Sequence, residues 1–191
     1  MSMDIIDGAF DRHSKVAKDS ANLIVGSVKE AANVLLSAIN NGGKVLVCGN
    51  GGSAADAQHF AAEFVCRYKD DRPPLAAIAL TVNTSAITAI GNDYGFEHIF
   101  ARQVEAFGGR GDVLVAITTS GKSPNVLLAI KAAKERGLKT IALTGSSGSV
   151  MDKLADIAIV VPSEETARIQ EMHELIYHSW CEFIDRGPVR G

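Results

Sequence analysis

Asp112-Val113-Leu114-Val115-Ala116-Ile117-Thr118-Thr119-Ser120-Gly121-Lys122-Ser123-Pro124-Asn125 passes from an unbroken apolar run to a turn rich in hydroxyl groups. The apolar run Val113–Ile117 is typical of a parallel strand that is covered on both faces. Ser123 is a favourable N-cap and Pro124 suits the first helical position, so a helix is predicted to begin here. Hydroxyl groups and the N–H groups of that helix would converge on one small volume, which suits a phosphate.

The same alternation of strand and helix extends over the rest of the chain, and it predicts a doubly wound α/β/α sandwich with a five-stranded parallel sheet. N-terminal helices occupy residues 1–41, the α/β core occupies 44–186, and residues 1–191 form a single domain. Gly91–Gly95 is predicted to be a turn, and Thr144–Ser149 a loop. The predicted strands are Lys44–Cys48, Leu75–Leu80, Val113–Ile117, Thr140–Leu143 and Ile157–Val161. The predicted core helices are Ala54–Tyr68, Thr84–Ile90, Glu97–Phe107, Pro124–Arg136 and Glu164–Asp185.

Composition excludes several classes of protein. A net charge of −3 without any run of Lys or Arg argues against nucleic acid as a partner. No apolar run approaches the roughly 20 residues that a membrane span needs, and the acidic N-terminus is unlike a signal peptide. Cys48, Cys66 and Cys181 are scattered and odd in number, which indicates reduced thiols and a cytoplasmic protein. The long N-terminal helical segment exceeds what one sheet face needs, so part of it is expected to pack against another subunit.

Three predicted strands end in Gly/Ser-rich loops, which in a parallel sheet all emerge at the carboxyl edge, where ligands bind.

Two segments of these loops resemble nucleotide-binding motifs but do not match them fully. Gly121-Lys122-Ser123 resembles the end of a Walker A loop, but Ala116 stands where that motif needs glycine. Gly49-x-Gly51-x-x-Ala54 fits the dinucleotide fingerprint loosely, yet the expected acid after the next strand is missing. The hydroxyl groups of one loop and of a neighbouring loop favour anion binding over N-cap and turn chemistry alone. Ser53 belongs to the loop after the first strand, and the other four hydroxyls, all in the loop after the third strand, are those of Thr118, Thr119, Ser120 and Ser123.

Two helices offer imidazole and oxygen ligands at helical spacing. His59 and Glu63 are four residues apart, so both project from one face of the first crossover helix. On the final helix Gln170, Glu174, His178 and Cys181 form one face beside the apolar stripe. A His/Glu/Gln/His set suits zinc or a similar divalent ion, although a His–Glu pair alone is more often a surface interaction. His173 is a competitor of His178, but it lies about 100° away around the helix.

These motifs together resemble the sugar isomerase (SIS) domain family, and within it the phosphoheptose isomerases. The resemblance rests on Gly49-Asn50-Gly51-Gly52-Ser53, Thr118-Thr119-Ser120-Gly121-x-Ser123 and Arg168-Ile169-Gln170-Glu171-Met172-His173, and it covers nearly the whole chain. It implies a homotetramer with active sites between subunits. It also implies conversion of sedoheptulose 7-phosphate to glycero-manno-heptose 7-phosphate, which supplies heptose for lipopolysaccharide or another surface polysaccharide.

The resemblance assigns roles to individual residues. It implies that Glu63 and His178 are catalytic, and that His59, Glu63, Gln170 and His178 bind one zinc ion. Ser53 is added to the substrate-binding candidates because of its place in the neighbouring loop. The other substrate contacts that the resemblance implies are Asn50, Gly51, Gly52, Asn92, Asp93, Thr118, Thr119, Ser120, Ser123 and Gln170.

One non-enzymatic alternative comes from the same family. A protein that associates with the replication initiator DnaA shares the fold and a segment like Ala57–Ala62, but it lacks the acid equivalent to Glu63 and the histidine equivalent to His178. This chain has both residues, which favours the isomerase. A regulatory protein that senses a sugar phosphate is the other alternative.

For the isomerase, a base over the carbons and an acid near the oxygens are required, and Glu63 and His178 are expected to supply them.

Overall fold

The computed structural model describes residues 4–145 and 149–188, and it contains five parallel strands in the order β2-β1-β3-β4-β5. The strands are β1 (Val45–Gly49), β2 (Ala77–Ala79), β3 (Val113–Ile117), β4 (Lys139–Gly145) and β5 (Ile157–Val161). The helices are α1 (Asp4–Leu23), α2 (Val25–Asn40), α3 (Gly52–Val65), α4 (Thr84–Tyr94), α5 (Ala101–Phe107), α6 (Pro124–Glu135), α7 (Ser149–Leu154) and α8 (Thr166–Asp185), with a 3₁₀ turn at Phe96–His98.

Helices cover both faces of the sheet. Alternate residues of each central strand therefore pack into two apolar clusters, one on each face. On β3, Val113, Val115 and Ile117 pack with α1, α2, α3 and α8, whereas Leu114 and Ala116 pack with α4, α5, α6 and α7. All five residues of β3 are fully buried. The predicted doubly wound α/β/α sandwich with a five-stranded parallel sheet is confirmed.

The structure differs from the sequence prediction in the segment between β2 and β3. Residues Gly91 to Tyr94 were predicted as a turn, but α4 continues through Tyr94. Asn83 caps the start of α4 by accepting a hydrogen bond from the backbone N–H of Ala86. The chain reverses only at Gly95, whose φ of 96° lies in the left-handed region that favours glycine. The composition of the segment indicated the turn correctly, but its position was wrong.

The segment after β3 contains a second difference. β4 extends through Thr144 and Gly145, which were predicted to belong to a loop, because both pair with β5. The rest of that predicted loop, residues 146–148, lies outside the described residues. The short helix α7 follows, and the sequence prediction did not include it.

The N-terminal segment consists of two helices that meet at Ile24 with a bend of 71°. Both contribute to the apolar layer that contains α3 and α8. Within residues 4–145 and 149–188, no single helix is long and apolar enough to cross a membrane, and α1 and α2 meet that test only as a bent pair.

Candidate active site

The carboxyl ends of β1 and β3 form the centre of the candidate site. The chain leaves β1 toward β2 on one side and later returns to β3 on the other side, so a crevice opens between these two strand ends. Asn50, directly after β1, and Asn125, in the first turn of α6, exchange two side-chain hydrogen bonds of 2.9 and 2.8 Å across this crevice. Asn125 is buried. This amide pair therefore fixes the loop after β1 against the start of α6.

The hydroxyl loop after β3 is folded around Thr118. The Thr118 hydroxyl lies 3.1 Å from the Ser123 hydroxyl and 3.4 Å from that of Ser120. Gly121, with a φ of 64°, provides the turn that brings these side chains together. An open cavity of about 400 Å³ adjoins Ser123, Asn50 and Asn125. The structure thus brings three of the predicted hydroxyl groups, those of Thr118, Ser120 and Ser123, into one cluster beside the crevice.

Ser123 occupies the N-cap position of α6, with Pro124 as the first helical residue, as predicted. Its side chain, however, makes no capping hydrogen bond and is instead paired with Thr118. The prediction of a side-chain cap was wrong because the hydroxyl has a nearer partner within the loop. The Asn125 side chain, rather than that of Ser123, accepts the backbone N–H of Val126.

The loop after β1 meets α8 through Gly52 and Gln170. A Cβ on Gly52 would lie 2.4 Å from the Gln170 amide oxygen, so the absence of a side chain leaves the space that the amide occupies. Gln170 donates a hydrogen bond of 3.3 Å to Asp56 on α3, and Asp56 is buried. Ser53 is also buried, and it packs closely against Gly49 at the end of β1. Gln170 is therefore held between the loop and α3.

His59 lies between two carboxylates and a tyrosine. Its Nε2 atom is 3.1 Å from Glu63 Oε1, whereas its Nδ1 atom is 3.1 Å from the Tyr177 hydroxyl and 3.9 Å from Glu174 Oε1. The ring centroids of His59 and His178 are 4.9 Å apart at an angle of 79°. The structure thus brings together three predicted residues from two helices, His59, Glu63 and His178.

His178 is packed between aromatic rings. Tyr68 stacks on it with centroids 5.1 Å apart, and Tyr177 contacts it edge-on. Burial and the neighbouring His59 lower the pKa of His178, although Glu174 and Glu63 partly oppose this shift. The neutral imidazole is therefore favoured, and it is the form that accepts a proton or binds a metal.

His173 lies elsewhere on α8. It is fully buried, and its Nε2 atom is 3.4 Å from the backbone carbonyl of Thr144. Burial lowers the pKa of His173 to about 4, so this side chain is neutral near pH 7. Its contact with β4 indicates a packing role, and it does not join His59 and His178.

Asn92 and Asp93 are not brought into either group. Both are exposed near the end of α4, and the Asn92 amide donates a hydrogen bond of 2.7 Å to Asp93. Within the part of the chain that the structure describes, their side chains make no hydrogen bond to the hydroxyl loop or to the histidine pair. Gly51, the last residue before α3, is exposed and has a φ of 57°.

Four residues of the site were not predicted to take part in it. The spacing of Glu174 indicated a place in the site, because it lies four residues from both Gln170 and His178, yet no role was predicted for it. Asp56, three residues before His59, had a similar but weaker signal. Nothing in the sequence indicated that Tyr68 or Tyr177 would join the site. Tyr68 lies in the chain after α3, and Tyr177 adjoins the apolar stripe of α8.

A buried ion pair holds the two helices of the histidine pair in place. Arg72 Nε donates to Asp185 at 2.7 Å, and both side chains are almost completely buried. The same guanidinium donates to the backbone carbonyls of Glu63 and Phe64, which ends α3. The second Asp185 oxygen accepts the N–H groups of Tyr68, Lys69 and Asp70. The ion pair therefore fixes the end of α3 and the chain that carries Tyr68 against α8.

Comparison with known proteins shows the relationships of this chain. Residues 11–145 match the model of the SIS domain. A phosphoheptose isomerase of Campylobacter jejuni is 54% identical, over 97% of this chain and 99% of that protein. The chain belongs to the phosphoheptose isomerases of the SIS domain family. This membership confirms the family and the isomerase class that the sequence motifs predicted.

Solved structures of the family have the same architecture. The phosphoheptose isomerase of Francisella tularensis superimposes with a TM-score of 0.94 at 45% identity, over 98% of this chain and all of that one. The enzyme of Neisseria gonorrhoeae gives a TM-score of 0.90 at 48% identity, over 96% of this chain and 98% of that one. The SIS fold therefore extends over nearly the whole chain, beyond the residues that the family model matches.

The donor atoms of the site fit a divalent metal ion. His59, Glu174 and His178 each offer one ligand atom, and these atoms all lie within 4.8 Å of one another. Two imidazoles and a carboxylate are ligands that zinc accepts. Glu63, at 3.1 Å from His59, adds a second carboxylate next to this group.

Proposed function

We propose that this isomerase converts D-sedoheptulose 7-phosphate to D-glycero-D-manno-heptose 7-phosphate through an enediol. This reaction would be the first step of heptose supply for lipopolysaccharide or another surface polysaccharide. The observation that carries the proposal is the approach of Glu63, His59 and His178 from two helices in a phosphoheptose isomerase. An acid–base pair of this kind, together with a polar loop that suits phosphate, is what an aldose–ketose isomerisation needs.

The phosphate is proposed to bind at the hydroxyl loop. Thr118, Thr119, Ser120 and Ser123 offer neutral donors, and the N-terminus of α6 adds the partial positive charge of a helix start. The Ser123 side chain does not cap that helix, because its hydroxyl is paired with that of Thr118. Asn50, Gly51, Gly52, Ser53, Asn92, Asp93 and Gln170 remain the further proposed substrate contacts. Binding energy from this end would position the distant carbonyl end.

Glu63 is proposed to take the proton from C1 and to return it to C2. Its carboxylate is partly exposed, so a substrate can approach it. The carboxylate also accepts a hydrogen bond from His59. His178 is proposed to exchange protons with the two substrate oxygens, because its lowered pKa leaves a neutral ring that can accept a proton. Tyr68 and Tyr177 hold that ring in one orientation.

Zinc is the proposed cofactor, one ion per subunit, with His59, Glu63, Gln170 and His178 as candidate ligands. When bound, such an ion would polarise the hydroxyl and carbonyl oxygens of the sugar and stabilise negative charge on them. Gln170 would require the orientation that Asp56 and Gly52 give it. A carboxylate that binds metal tightly is a weaker base, so the two roles of Glu63 are in conflict.

We also propose that the protein is a cytoplasmic homotetramer with active sites at subunit interfaces. Large apolar side chains are exposed on the first turns of α1, among them Ile5, Ile6 and Phe10. Exposed apolar patches of this kind are typical of interaction surfaces. The histidine pair is partly open, with His59 44% exposed, which leaves room for a neighbouring subunit to complete the site.

The central experiment incubates the purified protein with sedoheptulose 7-phosphate and follows aldose formation by NMR, with and without a chelator. We expect product in the untreated sample and a large loss of rate after metal removal. Absence of product in a folded, metal-loaded sample would refute the isomerase reaction. A binding signal for the sugar phosphate without turnover would instead support a sensory protein, and capture of the initiator DnaA would support the binding protein.

Glu63→Gln tests the proposed base. The amide keeps the size of the side chain but cannot accept the proton from C1, so we expect kcat to fall by at least about a hundredfold. Binding of the sugar phosphate, measured by calorimetry, is expected to remain within a few-fold of wild type. A variant with near-normal kcat would remove Glu63 from the catalytic role.

Ser120→Ala tests the phosphate end. Loss of one hydroxyl donor should raise KM about fivefold while kcat changes little, since a typical hydrogen bond contributes roughly 1 kcal/mol. Ser37→Ala is the matched control, because Ser37 is an exposed serine on α2, remote from the site. An unchanged KM for Ser120→Ala would exclude this hydroxyl from the phosphate site.

A further inference from the structure

The Tyr177 hydroxyl is a polar group of the site that the proposed function leaves without a role. Tyr177 is completely buried on α8, where its ring packs against Phe60 with centroids 5.4 Å apart. Its hydroxyl lies 3.1 Å from His59 Nδ1. A buried tyrosine usually directs its hydroxyl at one partner, and here that partner is a candidate metal ligand.

The two ring nitrogens of His59 face different partners. Nε2 lies 3.1 Å from Glu63 Oε1, and Nδ1 lies 3.1 Å from the Tyr177 hydroxyl. Glu174 Oε1 is 3.9 Å from Nδ1, which is too long for a hydrogen bond. The position beside Nδ1 is thus taken by Tyr177, whereas Nε2 lies beside a second candidate ligand. Nε2 is therefore the nitrogen that is placed to bind a metal ion.

A phenol oxygen suits the position beside Nδ1 because it both donates and accepts hydrogen bonds, whereas a neutral imidazole carries a single hydrogen. With that hydrogen on Nε2, His59 donates to Glu63, and its Nδ1 accepts from the Tyr177 hydroxyl. A metal ion on Nε2 requires the hydrogen on Nδ1, and the Tyr177 oxygen then accepts it. A carboxylate in place of the hydroxyl would serve only the second arrangement, and a phenyl ring would serve neither.

We propose that Tyr177 is a positioning residue for His59. Its hydroxyl holds Nδ1 in both hydrogen arrangements, so that Nε2 stays beside Glu63 and faces the ion that both residues would bind. The hydroxyl itself contacts neither the ion nor the substrate. The inference rests on the proposed function and deepens it, because it names the group that orients one of the proposed ligands. Loss of such a partner typically weakens metal binding by a factor of 10 to 100.

The test measures metal affinity independently of activity. Tyr177→Phe removes the hydroxyl and keeps the ring that packs against Phe60. The full-length protein is stripped with a chelator, and zinc binding is measured by competition with a chromophoric chelator for wild type, Tyr177→Phe and Tyr94→Phe. Tyr94 is the matched control, because it is an exposed tyrosine on α4 that contacts Arg102. Circular dichroism and urea unfolding confirm that both variants are folded.

Histidine NMR gives a second measurement, which a purely structural role of Tyr177 would not change. The ¹⁵N shifts of the zinc-loaded protein show which ring nitrogen of His59 carries the hydrogen. The resonance of that hydrogen shows whether it is hydrogen-bonded and protected from exchange with solvent. Wild type alone tests the orientation of His59, so the measurement does not depend on the folding of a variant.

We expect Tyr177→Phe to bind zinc at least about tenfold more weakly than wild type, and Tyr94→Phe to bind it equally well. Zinc-loaded wild type should show a protected hydrogen on His59 Nδ1, and Tyr177→Phe should lose that protection. Unchanged zinc affinity of Tyr177→Phe, or a hydrogen on Nε2 of zinc-loaded wild type, would overturn this inference and leave the proposed reaction intact. Equal zinc affinity of wild type and His59→Ala would instead refute the proposed metal site itself.

Discussion

At the scale of single residues, the site depends on where side chains are absent as much as on where they are present. Gly52 leaves the space that the Gln170 amide fills, and Gln170 is in turn bonded to the buried Asp56. Burial raises the pKa of Asp56, whereas the hydrogen bond from Gln170 opposes that shift. Gly52 and Asp56 thus set the orientation of the Gln170 amide. Gln170 is proposed both as a metal ligand and as a substrate contact.

Gly52→Ala tests this arrangement. The backbone of Gly52 is compatible with alanine, since its φ is not positive, but the new methyl group would collide with the Gln170 amide, which must move. We expect stability within about 1 kcal/mol of wild type, because the colliding atoms are the end of a flexible side chain. Turnover should fall at least tenfold, since Gln170 loses its position. Unfolding in urea and steady-state kinetics measure the two effects.

Gly26→Ala is the control for that variant. Gly26 is on α2, and a Cβ there would meet nothing within 4 Å. Alanine favours the helix over glycine by about 0.5–1 kcal/mol, so this variant should be slightly more stable and fully active. Equal loss of turnover in both variants would show that the effect of Gly52→Ala does not act through Gln170.

At the scale of elements, α3 and α8 carry the histidine pair, and the Arg72–Asp185 ion pair joins them. Arg72 binds the last carbonyls of α3, including that of Glu63, while Asp185 binds the N–H groups of the chain that carries Tyr68. Burial alone would raise the pKa of Asp185, but its hydrogen bonds with Lys69, Arg72 and Asp70 outweigh burial and lower it. Its carboxylate is therefore charged at neutral pH.

Asp185→Asn should be strongly destabilising. The variant leaves the Arg72 guanidinium buried without a counter-charge, and breaking a buried pair in this way typically costs about 3–5 kcal/mol. Glu182→Gln, which breaks solvent-exposed ion pairs on the same helix, should change the free energy of unfolding far less. Urea unfolding of the two variants compares these values. A loss below 1 kcal/mol for Asp185→Asn would show that the ion pair does not hold α3 to α8.

Helical periodicity predicted the faces of α3 and α8, but it could not predict which faces would meet. Short apolar runs located all five strands, because strands buried on both faces need such runs. The turn after α4 was misplaced, since Gly91, Asn92 and Asp93 have turn composition yet continue a capped helix. Tyr68 could not be foreseen in the site, because it reaches His178 only through the tertiary contacts of Asp185.

At the scale of the whole molecule, the two edges of the sheet are built from different chemistry. Carboxylates tie the strands together at the amino edge. Asp112 accepts three hydrogen bonds, from the Lys44 amide, the Lys44 ammonium and the Gly109 amide, while Asp156 accepts two from Thr140. Hydroxyl, amide and imidazole groups are found at the carboxyl edge, where ligands of parallel sheets bind.

The carboxylates of the amino edge predict the response of the fold to acid. Burial opposes ionisation of Asp112, but the hydrogen bonds and the charge of Lys44 outweigh burial and lower its pKa. A carboxyl with a lowered folded-state pKa stabilises the fold above its unfolded pKa, and this contribution is lost as the pH falls through the folded value. We therefore expect wild type to lose stability progressively below about pH 4–5.

Asp112→Asn should lower the free energy of unfolding at pH 7 by about 1–3 kcal/mol, and the loss of stability between pH 5 and pH 3 should be shallower than in wild type. Urea unfolding at several pH values measures both quantities. Asp19→Asn is the control, because Asp19 forms an exposed ion pair with Lys15, and its profile should match wild type. Parallel profiles for Asp112→Asn and wild type would contradict the role of Asp112.

The placement of the two halves of the site in different helical layers has a consequence for substrate choice. The hydroxyl loop leads into α6 on one face of the sheet, whereas His59, Glu63 and His178 belong to α3 and α8 on the other. A molecule that contacts both halves must extend across the carboxyl edge. The number of carbons between its two ends then determines whether it can contact both halves at once. The protein would thus discriminate among ketose phosphates by molecular length, and their kcat/KM values should fall as the carbon chain is shortened.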